Sequence, residues 1–191
     1  FDLPKTGKLD EATMKLMALD RCAVDDRPNS VRAKREVKQF WKKRVVTYGL
    51  SWPPPSGVKF KELQAELRKA FDAWQQFSSG IEFKQQQSGD VDIAVYFMSP
   101  EEHNVECKAP WDQPNILAHA FYPEHGAIHF NTKFAWTDSQ KLLDTMIHEI
   151  GHSLGISHDT KSGPNNIMYP MHVDGPKVFS RRSINDFQST Y

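Results

Sequence analysis

The chain has 191 residues, and its 24 lysines and arginines balance 24 aspartates and glutamates. That balance argues against an electrostatic nucleic-acid or membrane-surface binder, and no apolar run approaches the roughly 20 residues that span a bilayer. The length suits one domain with a sizeable core plus a short appendage.

Two cysteines, Cys22 and Cys107, are too few for a disulfide scaffold, so cysteine usage leaves the compartment open. No segment reads as a signal peptide, so secretion would imply a processed or trimmed chain. Residues 1 to about 26 are expected to be a short helical segment, capped by Thr6 or Asp10, with Leu9, Met14 and Met17 as its apolar positions. Residues 25–37 are charged and lack apolar periodicity, which predicts an exposed linker. Val45-Val46-Thr47-Tyr48 reads as a strand, followed by the Pro53-Pro54-Pro55 breaker. Phe60, Leu63, Leu67, Phe71 and Trp74 recur at helical spacing; this aromatic stripe is read as core packing of a long amphipathic helix. Strands are expected at 81–83, 91–97, 116–121 and 127–130. Leu142, Leu143, Met146, Ile147 and Ile150 lead into a further helix, and Ile184, Phe187 and Tyr191 suit a closing one. With no internal repeat, this order indicates an α+β fold.

The chemistry concentrates in His148-Glu149-Ile150-Gly151-His152-Ser153-Leu154-Gly155-Ile156-Ser157-His158. On a helix His148 and His152 project from one face, so both imidazoles can reach one zinc ion. Glu149 lies where its carboxylate can take a proton from a water on that ion. Gly155 can adopt the positive φ that ends the helix, and the turn returns His158 as a third nitrogen ligand. Three protein ligands leave one coordination position open, as hydrolysis requires. Eight residues after His158 begins Asn166-Ile167-Met168-Tyr169-Pro170, in which Met168 matches the Met-turn that floors such a metal site.

On these residues the chain resembles the metzincin metallopeptidases and, among them, the matrix metalloproteinases, or matrixins. The resemblance covers nearly the whole chain. Residues 1–10 are similar to the end of a matrixin pro-segment, and 116–121 to the edge strand lining the cleft. It implies a twisted five-stranded mixed sheet with three helices, preceded by a short helical pro-segment. The implied division is 1–35 as pro-segment and 36–191 as catalytic domain. Leu117 and Ala118 would pair with an extended substrate, and the pocket for the residue after the scissile bond would lie between the zinc helix and 170–179, from Pro170 onward, with Asp144 nearby. Asp159 departs from the serine usual in matrixins; aspartate there is typical of the adamalysin branch, which is cysteine-rich around its Met-turn, whereas no cysteine follows Cys107 here.

The resemblance also implies a second, structural zinc on His103, His119 and His129. The usual fourth ligand, an aspartate two residues after the first histidine, is Val105 here, and Glu106 or Cys107 could substitute. Asp92 and Asp112 fall where family calcium ligands occur. The loop before His129 is shortened and Asn131 and Phe134 replace two acidic ligands, so ordinary solvated acids are the preferred reading and calcium stays open.

Arg21-Cys22-Ala23-Val24-Asp25-Asp26 resembles the family's cysteine switch, in which a thiolate fills the position needed by the attacking water. Asp20, Ala23 and Asp25 replace the motif's two prolines and glycine, while Arg21 and Asp26 match its ion pair. A Cys22–Cys107 disulfide is the alternative. Arg32-Ala33-Lys34-Arg35 fits a proprotein-convertase site, with cleavage after Arg35. That would expose Glu36 as a new N-terminus, and Arg182 and Ser183 stand where the family's last helix usually offers two aspartates to anchor it. The resulting expectation is a secreted, latent zinc endopeptidase acting on extracellular or matrix proteins such as collagen, with tissue-inhibitor proteins as further partners. The rival is a non-catalytic zinc-binding domain.

Overall fold

The computed structural model describes residues 1, 3–24, 39–51, 54–87, 90–107, 111 and 113–191, without the Glu106 side chain. The expected linker at 25–37, Asp25, Asp26, the 32–35 basic site with Arg35, Glu36, Pro53 and Asp112 lie outside the described residues. The elements are α1 (Glu11–Met17), β1 (Arg21–Cys22), β2 (Val45–Leu50), α2 (Phe60–Gln75), β3 (Glu82–Gln85), β4 (Ile93–Met98), α3 (Pro100–Glu106), β5 (Ile116–Ala120), β6 (Ile128–Asn131), α4 (Ser139–Ser153) and α5 (Arg181–Gln188). The mixed sheet runs β1-β5-β6-β4-β2-β3, antiparallel only between β5 and β6.

The α+β expectation holds, with two differences. The sheet has six strands because Arg21–Cys22 adds to the outer edge of β5, and α3 is a helix that the pattern reading left out. At the N-terminus the expected helix is short. Asp10 caps it, accepting from the Thr13 amide at 2.9 Å and hydroxyl at 2.8 Å, and the chain is extended again by Arg21. Leu9, Met14 and Met17 do not form a buried face; all three are exposed. Seven residues held by a cap and backbone bonds need no apolar burial to persist on a surface.

The stripe on α2 is packing, as its spacing predicts. Leu63, Leu67, Phe71 and Trp74 are fully buried, each contributing about 1.5–3 kcal/mol on burial; Phe60, in the first turn, is half-buried. The Trp74 indole also donates to the Ile147 carbonyl at 2.8 Å, a polar tie that fixes α2 against α4. Helix α4 starts at Asp138, whose carboxylate accepts from the Gln140 and Lys141 amides. Its C-terminal carbonyls would be orphaned in the core. Trp41 Nε1 donates to Ser153 O at 2.8 Å and Tyr191 Oη to Leu154 O at 3.0 Å, so residues from both ends of the domain close this one helix end.

The chain then turns at Gly155, whose φ is +89°; a Cβ there would collide with the Gln39 carbonyl. Inside α4, a Cβ on Gly151 would fall on the Met168 sulfur and 2.9 Å from the Trp74 ring. Gly151→Ala should therefore destabilise the fold by about 1–3 kcal/mol through overpacking, even though alanine is the better helix former. Equilibrium denaturation against the parent chain checks this; equal or greater stability would contradict the packing described.

Candidate metal centre

His148 and His152, one turn apart on α4, are buried with their Nε2 atoms 3.1 Å from each other. The Gly155 turn returns His158, whose Nε2 lies 3.2 Å from that of His148. The other ring nitrogens set the tautomers. His148 Nδ1 is 2.7 Å from the Ile167 carbonyl and His152 Nδ1 is 2.7 Å from that of Ile156. A carbonyl only accepts, so each Nδ1 carries the proton and each Nε2 presents a lone pair. Burial, and then the neighbouring imidazoles of His158 and His148, push the His152 pKa well down, keeping the ring neutral as metal ligation requires.

Glu149 is fully buried beside these rings, and neither of its oxygens accepts a hydrogen bond from an N–H or O–H. Burial pushes its pKa up to about 8. A buried carboxyl whose noted partner is the Cys22 thiol, set among imidazoles, fits a site built to receive a cation. Cys22 completes the group: its Sγ and one ring nitrogen of each of the three histidines all lie within 4.8 Å of one another. Burial and the Glu149 carboxyl raise the Cys22 thiol well above its ordinary range, so a thiolate here needs a cation beside it. The donor set of three imidazoles and one thiol fits zinc.

Cys22 reaches this point because residues 19–24 lie in the cleft between β5 and the segment after the Met-turn. Arg21 N donates to Asn115 O at 2.9 Å, Cys22 N to Pro170 O at 3.0 Å, and Ala23 N to Ala118 O at 3.0 Å. On the other wall Arg21 forms a bridge with Met171, and His172 N donates to Asp20 O at 2.7 Å. The edge of β5 expected to receive substrate is thus occupied by the chain's own backbone, in parallel orientation. The departure at Asp20 has a partner: its carboxylate accepts from Lys141 Nζ on α4 at 2.7 Å. Leu117, Pro170, Asp144, His172 and Lys177 line a pocket that opens beside His148 and Glu149.

Met168 is fully buried, its sulfur beneath Gly151 between the two helical histidines. Asp159 is also explained. It is buried, its carboxylate accepts from the Lys161 and Ser162 amides and from Ser180 Oγ at 2.8 Å, and its backbone pairs with Met168 and Asn166. Ser180 in turn bonds Ser183, so the serine standing for a family aspartate is tied to the aspartate standing for a family serine. Burial alone would raise the Asp159 pKa, but these donors outweigh it and hold the group below its ordinary value.

A second cluster gathers His103, Cys107, His119 and His129. His119 and His129 face each other across the antiparallel β5–β6 pair, with Nε2 of one 3.2 Å from Nδ1 of the other. Burial first, then neighbouring histidines, push these two to about 3 and about 4, well below the ordinary imidazole value. His103 comes from α3, and its ring stacks on Trp111 at 3.8 Å. The sequence reading missed α3, although Ser99-Pro100-Glu101-Glu102 carries a capping box and a proline at the helix start. Recognising it would have put Cys107 one turn beyond His103 and Val105 on another face; Val105 is in fact 87% exposed. The two thiols are free and sit in different clusters, so the disulfide alternative is not the state found. Asp92 ties β2 to the start of β4, accepting from Lys43 Nζ and from the Thr47 amide at 2.8 Å and hydroxyl at 3.0 Å.

Comparison with known proteins agrees with this geometry. The family model described as matrixin matches residues 40–191. The chain is 33% identical to macrophage metalloelastase of Rattus norvegicus over all of its own length and 41% of the relative's. It is 34% identical to matrix metalloproteinase-20 of Homo sapiens, with 89% of this chain and 35% of the relative covered. For human neutrophil collagenase the identity is 32%, over 89% of this chain and 36% of the relative. The chain thus spans between about a third and two fifths of the relatives' length. Fold and site together define the class, an α+β domain with a buried histidine cluster at the end of α4 that could hold a metal ion. The chain belongs to the matrixin family.

Asp159→Ala should lower stability by about 1–3 kcal/mol, because it removes the acceptor of the Ser180 hydroxyl and of the Lys161 and Ser162 amides. The depressed pKa gives the linkage sign. The carboxylate's contribution is present above its unfolded value of about 3.9 and is lost as pH falls through the folded value. Urea denaturation at neutral pH and at low pH should show a gap between parent and variant that narrows in acid; a constant gap would contradict the role assigned to the charge.

Proposed function

We propose that this chain is the latent form of a secreted zinc endopeptidase, with residues 1–35 as pro-segment and 36–191 as catalytic domain. The observation that carries the reading is the convergence of Cys22 with His148, His152 and His158 beside a buried Glu149. The three histidines would hold the zinc through Nε2, and Met168 would support them from beneath. A bound zinc ion supplies Lewis acidity, polarising a carbonyl and acidifying a water. Glu149 Oε takes the proton of the attacking water and delivers it to the leaving nitrogen. A non-catalytic metal-binding domain would have no use for a buried carboxyl at this point, which favours the enzyme over the rival.

Substrates would be extended protein segments, extracellular matrix proteins among them, that add to the β5 edge at Leu117 and Ala118 while one side chain enters the pocket beyond Pro170. The pro-segment uses the same backbone groups, which supports latency. A convertase cutting after Arg35 would free it, and tissue-inhibitor proteins would compete for the same cleft. A second zinc on His103, His119 and His129 would brace β5 from behind. Calcium on Asp92 and Asp112 forms no part of the reading, since Asp92 already accepts from Lys43 and Thr47.

The test is peptide hydrolysis by the full chain before and after convertase treatment, with and without a chelator. The uncut chain should be nearly inactive, and the cut chain active and chelator-sensitive. Glu149→Gln should keep the metal while losing about 10²–10⁴-fold in turnover. Cys22→Ser should show activity without cleavage; an inactive, uncut Cys22→Ser chain that holds zinc would overturn the part assigned to the Cys22 thiolate. Removing the half-buried Asp20–Lys141 tie by Asp20→Ala should raise basal activity of the uncut chain about two- to fivefold. Unchanged basal activity would show that the tie does not hold the pro-segment.

A further inference from the structure

We infer that the second metal site of this chain is closed by the Cys107 thiolate, a three-histidine, one-cysteine site in place of a carboxylate one. The inference rests on the second-zinc reading above and specifies its fourth ligand.

The placement follows from α3. His103 and Cys107 are one helical turn apart, and the Cys107 amide donates to the His103 carbonyl, so both side chains leave the same face toward β5 and β6. Cys107 Sγ lies 3.7 Å from His119 Nε2. That same nitrogen is 2.8 Å from His103 Nε2 and 3.2 Å from His129 Nδ1. One ring nitrogen can donate at most one proton, so hydrogen bonding cannot serve all three neighbours at once. A single ion serves all four atoms. With zinc–nitrogen distances of about 2.0–2.1 Å and zinc–sulfur of about 2.3 Å, a tetrahedron has nitrogen–nitrogen edges of about 3.3 Å and nitrogen–sulfur edges of about 3.6 Å. The 3.2 and 3.7 Å separations are close to those edges, and the 2.8 Å pair opens slightly to receive the ion.

Four protein ligands fill the tetrahedron, so this centre offers no position for water and is structural. A thiolate also makes the site selective for soft ions over calcium or magnesium. Its mechanical role follows from what it joins. His119 neighbours Ala118, whose carbonyl faces the cleft, and the ion links that strand to α3 and β6.

Cobalt(II) tests this directly, because a cobalt–thiolate bond gives an intense near-ultraviolet charge-transfer band that imidazole and carboxylate do not. The full chain carrying Cys22→Ser and Glu149→Gln has Cys107 as its one thiol and cannot digest itself. Loaded with cobalt, it should bind two ions per chain and show the band. Adding Cys107→Asp should keep two ions and abolish the band. Two bound ions without the band in the Cys107-containing chain would overturn the thiolate ligand and leave the second-zinc reading standing. One bound ion without the band would overturn both. The decisive spectrum needs no substitution at Cys107, so a failure of the aspartate variant to fold leaves the test intact.

Discussion

The rest of the fold depends on one constraint: three imidazoles and the buried Glu149 carboxyl come together where α4 ends and the chain turns. Burying such groups is unfavourable unless each finds a partner. Two of the rings find theirs in the Ile167 and Ile156 carbonyls, which orient Nε2 inward. The carbonyls themselves come from the Met-turn and from the chain just after Gly155, so the site's geometry depends on the helix ending where it does. Trp41 and Tyr191 close that end, and Met168 fills the space that Gly151 leaves. What remains is the Glu149 carboxyl, met by the Cys22 thiol, and the inward lone pairs of His148 and His152, which a divalent cation would balance.

The occupation of the cleft has the same economy. The β5 edge offers carbonyls and amides that a substrate backbone would use, and residues 21–23 already use them, along with Pro170 on the far wall. On the proposed reading, blocking would be achieved twice, once by backbone pairing and once by the Cys22 sulfur beside the histidines. The family's proline and glycine are absent from this segment. The Asp20–Lys141 tie and the bonds to Met171 and His172 anchor it instead.

The parts legible in the sequence were those whose cause is local. The spacing of His148, Glu149 and His152, the positive φ of Gly155 and the stripe of α2 follow from helix periodicity and glycine's freedom. Strand β1 was not legible, because two residues become a strand only by pairing with Ile116, Ala118 and Met171, far along the chain. The uses of Asp20 and Asp159 were hidden for the same reason: their partners, Lys141 and Ser180, are remote in sequence. Helix α3 is a different case. Its capping box was in plain view, but without the helix Glu106 and Cys107 stood as equal substitutes for the ligand missing at Val105; the helix puts Cys107 one turn beyond His103. The apolar residues of α1 show the converse limit, since periodicity alone does not say that a face is covered.

The central claim is that Cys22 and the three histidines share one zinc ion in the uncut chain. A crystal structure of that chain with anomalous data at the zinc edge tests it most directly. The account predicts an anomalous peak about 2.0–2.1 Å from Nε2 of His148, His152 and His158 and about 2.3 Å from Cys22 Sγ. A zinc peak on the three histidines with the Cys22 sulfur turned away, or no peak there at all, would contradict it.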